Sequence, residues 1–178
     1  MITIYRTDGS VLAIVEDADT VGEAVKALYA AGRRDFRRAD IARADLQYAN
    51  LACANLTDAY LQGADLRRAC MRGATLIGAD FAGADLTDAN LIGAALRGTH
   101  LTLADLAGAN LTCANLEGAE MIGANLTGAN LEGATLEGAD LSDADIGGAM
   151  LRAASLTGAI LPDGTTTETY DPRPLFAE

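Results

Sequence analysis

The chain has 178 residues and a mass of 18.3 kDa, room for one domain or for a small domain joined to a repeat array, and it holds 37 Ala, 24 Leu and 19 Gly but no Trp and only eight Phe and Tyr. Thirteen Lys and Arg face 25 Asp and Glu, for a net charge of −12 and a sequence pI of about 4.3, which excludes a generally basic surface for nucleic acid or anionic lipid. No apolar run reaches the length of a membrane span and MITIYRTDGS lacks the regions of a secretory signal, so a cytoplasmic protein is expected.

Residues 1–33 lie outside any repeat. Met1–Tyr5 alternates apolar and polar side chains, Thr7-Asp8-Gly9-Ser10 reads as a turn and Val11–Val15 as a second strand, so a β-hairpin is predicted. Thr20-Val21-Gly22-Glu23 then has the form of a capping box, Ala24, Val25, Ala27, Leu28 and Tyr29 follow at helical spacing, and Gly32 is a stop. So short a segment is too small for a core of its own, and the helix is expected to lay its apolar face over the next element, capping an otherwise open strand edge.

From residue 34 a period of five takes over. Counting from Phe36 in steps of five reaches Leu161 without a slip, giving 26 positions of which 20 are Leu and the others Phe36, Ile41, Met71, Phe81, Met121 and Ile146. Two residues earlier stands Ala in 24 cases, Arg34 and Thr99 being the exceptions; between the two lies Asp or Asn in 16, and two residues after the large apolar residue comes Gly in 14. Leucines five apart would wander around every side of an α-helix, and in a straight strand successive ones would point to opposite faces. The chain must therefore turn a corner in every repeat. The Gly position suits a positive φ, as at the third residue of a type II turn, and repeats with other residues there are expected to include a different turn. Short extended sides joined by corners make a coil with Ala and Leu inside, and successive coils stack at about 4.8 Å.

ADLQYANLACANLTDAYLQGADL and GANLTGANLEGATLEGADL resemble the pentapeptide-repeat proteins, whose consensus is A(D/N)LxG, and the resemblance covers about residues 34–163. It implies an all-β solenoid: a right-handed quadrilateral β-helix of about 6.5 coils, four repeats to a coil, with residues 1–33 as a hairpin and helix cap. Spacing alone leaves three, four or five sides open.

After Leu161 the period ends and all three prolines appear. Pro162-Asp163-Gly164 is expected to terminate the coil, leaving residues 164–178 as a tail. Three readings stand for this end: a fold-back in which Leu175 or Phe176 covers the last coil, a free terminus, or an open edge that pairs with a second copy, giving a monomer or an end-to-end homodimer. Relatives that protect gyrase carry a dimerising C-terminal helix, and nothing in this tail resembles it.

No nucleophile, base and metal ligands come together in the sequence, and its glycines recur with the repeat rather than forming a phosphate-binding loop. No catalytic, cofactor-binding or metal site is expected, and the chain is read as a non-enzyme. His100, the only histidine, falls at an outward slot and is expected to be an isolated imidazole; Cys53, Cys70 and Cys113 are odd in number, outward, and at no ligand spacing.

Charge layout carries more information. Residues 31–73 hold eight basic and five acidic side chains, whereas residues 100–178 hold two and twelve, so the rod is polar along its axis. Stacking at 20 residues aligns Asp45, Asp65, Asp85, Asp105, Asn125 and Asp145; Glu117 and Glu137 share a column with Arg97, and Glu132 lies between Thr112 and Arg152. With Glu120 and Asp140 these acids are the candidate interaction surface. From His100 to Asp163 the net charge is −8. At the stacking distance that is roughly one charge per 2 Å, against about 1.7 Å in duplex DNA. Two functions fit: a structural or protein-interaction rod whose protein partner is unknown and whose acids solvate it or hydrogen-bond its corners, or, as the resemblance to gyrase-binding pentapeptide proteins implies, a DNA mimic occupying the cationic saddle of DNA gyrase or another type II topoisomerase. Neither involves a cofactor, a membrane or direct nucleic-acid contact.

Overall fold

The computed structural model describes residues 1–167. β1 (Ile2–Tyr5) and β2 (Val11–Val15) form the predicted hairpin, antiparallel from Ile2↔Val15 to Tyr5↔Val11, with an irregularity between Ile4 and Tyr5. α1 (Val21–Ala30) follows, and its capping box closes in both directions: the Glu23 N–H donates to Thr20 Oγ1 at 3.2 Å and the Thr20 N–H to Glu23 Oε2 at 3.3 Å.

This segment lies against the beginning of the repeat. β1 runs on into an antiparallel bridge, Arg6↔Ala39, flanked by Thr7 N–H donating to the Arg38 carbonyl at 2.7 Å and Asp40 N–H donating to the Tyr5 carbonyl at 2.8 Å. Gly22 is pressed onto the backbone of Asp45, where an added Cβ would stand 2.0 Å from the Asp45 carbonyl oxygen, so no larger residue allows α1 to sit this close. Tyr29 Oη donates to the Ala52 carbonyl at 2.6 Å, and the Arg34 guanidinium, one of the two departures from Ala, stacks 3.7 Å from the centre of the Tyr29 ring.

Through the repeat, parallel bridges join each outward Asp/Asn-type position to the one twenty residues on, from Asp35↔Asn55 to Asp140↔Ile160. Twenty residues per turn in steps of five make four sides, called here first to fourth from Phe36, Ile41, Leu46 and Leu51. A typical step bonds both ways: Leu66 N–H donates to the Asp85 carbonyl at 2.7 Å, and Asp85 N–H donates to the Ala64 carbonyl at 3.0 Å. The large apolar residues from Leu46 to Leu136 are at most 1% exposed. Each buried Leu contributes about 2–3 kcal/mol of transfer free energy, the principal term opposing chain entropy. Thr99 takes a buried Ala slot because its hydroxyl donates to the Leu96 carbonyl at 2.8 Å.

The corners correct one expectation. All 25 from Arg38 to Gly158 have a positive φ, including the eleven that are not glycine, so no second turn type is used among them. Each is closed by the next N–H donating to the carbonyl of the large apolar residue three back, as from Ala54 to Leu51 at 3.0 Å, with the preceding residue outside the positive-φ region, the pattern of a type II turn. The left-handed conformation costs a non-glycine residue about 1–2 kcal/mol. Stacking imposes it: the Cys53 N–H at such a corner donates to the Arg72 carbonyl of the next coil at 2.9 Å, a bond another turn would misdirect.

At the far end the chain reverses after Leu161, where Gly164 N–H donates to the Leu161 carbonyl at 2.8 Å. Thr166 then pairs antiparallel with Ile160, Thr167 N–H donates to the Ala159 carbonyl at 3.0 Å, and the buried Thr167 hydroxyl reaches the Leu156 carbonyl. The predicted termination at Pro162–Gly164 is thus seen, and the chain does turn back. Leu175 and Phe176, the residues expected to cover the last coil, lie outside the described residues.

Candidate acidic interaction surface

The outward Asp or Asn that precedes each large apolar residue has one backbone task. In all sixteen repeats that carry one, its side-chain oxygen accepts a hydrogen bond from the N–H two residues on, at 2.9–3.5 Å. That N–H points out of the coil and would otherwise have only water. The task needs an oxygen and no charge, so Asp and Asn serve it equally.

The two residues are nevertheless sorted by side. The third side has Asp45, Asp65, Asp85, Asp105 and Asp145 with Asn125 alone, and the second has Asp40, Asp80 and Asp140; the fourth has only Asn, at Asn50, Asn90, Asn110 and Asn130. Across their outward positions the second side carries six acidic residues and one Arg, the third six and two, the fourth one and two. The axial gradient read from the sequence is therefore joined by a lateral one.

The structure divides the sequence candidates among all four sides. Asp45, Asp65, Asp85, Asp105 and Asp145 form the expected column, and Glu120 and Asp140 stand in the neighbouring column of the second side. Glu117 and Glu137 lie on the first side, where Glu117 faces Arg97 at 3.7 Å, and Glu132 lies on the fourth, paired with Arg152. Two acids of the second side, Asp40 and Asp80, were not among the candidates; the same twenty-residue stacking applied to that side is the signal that finds them.

Pairing also differs along the rod. On the third side Arg67 reaches Asp65 at 2.6 Å and Asp85 at 3.5 Å, and Arg68 reaches Asp88 at 3.3 Å. The hydrogen bond from Arg67 holds the Asp65 carboxyl below its ordinary range, and Asp35 is brought down to about 2 by the hydrogen bond from Arg37. Further along, among the described residues, Asp80, Asp105, Asp140 and Asp145 have no Lys or Arg partner. His100 is not the isolated imidazole expected: its Nδ1 lies 2.8 Å from Glu120 Oε2, because the coil spacing stacks the two residues. Among the described residues no group of three or more His, Cys, Asp or Glu is placed to hold a metal ion, and no helix is long and apolar enough to cross a membrane.

Comparison with known proteins gives a consistent pattern. The family described as Pentapeptide repeats matches in eight copies, in overlapping segments from residue 35 to residue 158. No curated protein matches the sequence. Among solved structures, the pentapeptide repeat protein Rfr23 from the cyanobacterium Cyanothece 51142 is 38% identical over 51% of this chain, with a TM-score of 0.44, and the match spans 58% of Rfr23, less than two thirds of its length. HetL, a pentapeptide repeat protein involved in heterocyst differentiation regulation from the cyanobacterium Nostoc sp. strain PCC 7120, is 28% identical over 84% of this chain and 100% of its own, with a TM-score of 0.34. A trypsin-treated form of QnrB1, a plasmid-mediated fluoroquinolone resistance protein, is 27% identical over 71% of this chain and 69% of its own, with a TM-score of 0.61.

Proposed function

Since this chain belongs to the pentapeptide-repeat family, we propose that it is a non-enzymatic, rod-shaped module that binds another protein through its two acidic sides. In this reading residues 34–163 are a right-handed quadrilateral β-helix of about 6.5 coils, residues 1–33 cap its first coil and residues 164–178 are a tail. The supporting observation is the sorting of Asp from Asn. Every one of these side chains does the same turn bond, so the negative charge gathered on the second and third sides is surplus to folding and available for a basic partner. Replacing Asp80, Asp105, Asp140 and Asp145 together by Asn keeps the turn acceptors and removes the charge. A protein crosslinked by the native rod in host extract is expected to be lost with this variant and kept with the fourth-side variant Thr112→Ala/Arg152→Ala. An identical crosslinking pattern for all three proteins refutes the reading.

A second reading, a DNA-mimicking modulator of DNA gyrase or another type II topoisomerase, is favoured by the similarity to QnrB1 and by a charge density close to that of a duplex. Added to a gyrase supercoiling assay, the native rod should alter the rate in a salt-sensitive way. Charge reversal at Glu117, Glu120, Glu132, Glu137 and Asp140 should abolish the effect, with Glu132 contributing least because Arg152 already neutralises it. Supercoiling unchanged by the native rod discards this reading.

A further inference from the structure

Leu103 breaks the pattern of the corners in the least economical way. It is the one large aliphatic residue at a left-handed corner, with φ +57, and its side chain is 70% exposed. The corners stacked on either side of it are Gly83 and Gly123, and glycine there would serve the turn without strain. Leu103 leans over Gly123, where an added Cβ would meet Leu103 Cδ2 at 2.9 Å, and Ile122 beside it is 38% exposed. Leu103 N–H donates to the Ile122 carbonyl at 2.9 Å, so the two side chains are fixed on neighbouring coils of one side. Tyr48, exposed at another corner, differs: the Arg68 guanidinium lies over its ring at 6.0 Å.

Charge decides what this apolar pair fits. Before it in the coil runs the column Asp80, His100, Glu120, Asp140, and after it the column Asp85, Asp105, Asn125, Asp145. Nucleic acid and anionic lipid are repelled from such a frame, whereas a segment that alternates apolar and cationic side chains matches both its centre and its rim. We propose that Leu103 and Ile122 are the apolar anchor of a docking surface for a basic amphipathic segment of a partner protein.

The inference rests on the reading of the rod as a protein-binding module and is tested separately from it. The probe is an 18-residue amphipathic peptide of leucine and lysine, with a control of equal charge in which the leucines are serine, each titrated by fluorescence anisotropy. The native rod is expected to bind the leucine peptide with saturation, and Leu103→Gly to weaken it about tenfold or more while leaving the control unchanged. Leu103→Gly restores the residue the corner accepts without strain, so its thermal melt should be no lower than the native one; Ile122→Ser, with Thr102 and Ser142 as neighbours in its column, provides a second variant. Equal affinity in both variants, or no saturable binding by the native rod, overturns the Leu103 anchor. The crosslinking comparison of Asp→Asn and fourth-side proteins reports on the module itself whichever way the peptide titration falls.

Discussion

The column that starts at Asp45 and the column that starts at Asn50 occupy adjacent sides of the same coils and make the same bond to the N–H two residues on, yet one is almost entirely Asp and the other holds only Asn and non-acidic residues. Identical backbone work with opposite charge choice separates what the coil requires from what it merely permits. The requirement is an acceptor oxygen. The carboxylate charge is a freedom left over, and on the third side it has been used in one direction.

Removing the acceptor should have the largest effect and should not distinguish the columns: Asp105→Ala/Asp145→Ala and Asn110→Ala/Asn130→Ala are each expected to lose about 2 kcal/mol in urea unfolding at high salt, about 1 kcal/mol per hydrogen bond. A much smaller loss on either side would mean that water replaces the bond there. Charging the neutral column comes next. Asn90→Asp/Asn110→Asp/Asn130→Asp stacks like charges about 4.8 Å apart, about 1 kcal/mol of repulsion per neighbouring pair, and its deficit in melting temperature should shrink as NaCl is raised from 20 mM to 1 M. Neutralising the charged column should matter least to the fold: Asp105→Asn is expected to stay within about 0.5 kcal/mol of the native stability, since Asn keeps the acceptor for the Ala107 N–H.

Acid titration adds a comparison within the rod. Asp35 has a folded pKa of about 2, below an unfolded value of about 3.9, so its contribution to stability is complete above that unfolded value and disappears as pH falls toward 2. Unfolding curves of the native protein and Asp35→Asn, which loses the ion pair with Arg37, should therefore differ at pH 6 and converge near pH 2. Separation that persists at pH 2 would point to a role for Asp35 other than its charge.

Much of this architecture is legible in the sequence because one physical rule, a large apolar residue inside at every fifth position, is obeyed from Phe36 to Leu161 without exception. The hairpin and the capping box are legible for the same reason, each being a local pattern. What escapes is set by the neighbouring coil rather than by the residue itself. Arg38, Tyr48 and Leu103 have no preference for a left-handed corner, and no local propensity predicts that stacking will force them into it. Gly22 reads as an unremarkable helix residue until Asp45, twenty-three positions away, is found against it. Of the candidate surface, the Asp45 column is visible from the period once four sides are assumed, but the pairing of Glu132 with Arg152 and of His100 with Glu120 depends on which way long side chains lean.

The twenty-residue register has an evolutionary corollary. Excising five residues would leave every leucine inward but swing everything downstream by a quarter turn, delivering the acids of one side beneath the asparagines or arginines of another. Excising twenty would shorten the rod by about 4.8 Å and disturb no column. Genes for such rods can therefore grow or shrink by whole coils with their electrostatic stripes intact, whereas a single duplicated repeat scrambles the surface without harming the interior.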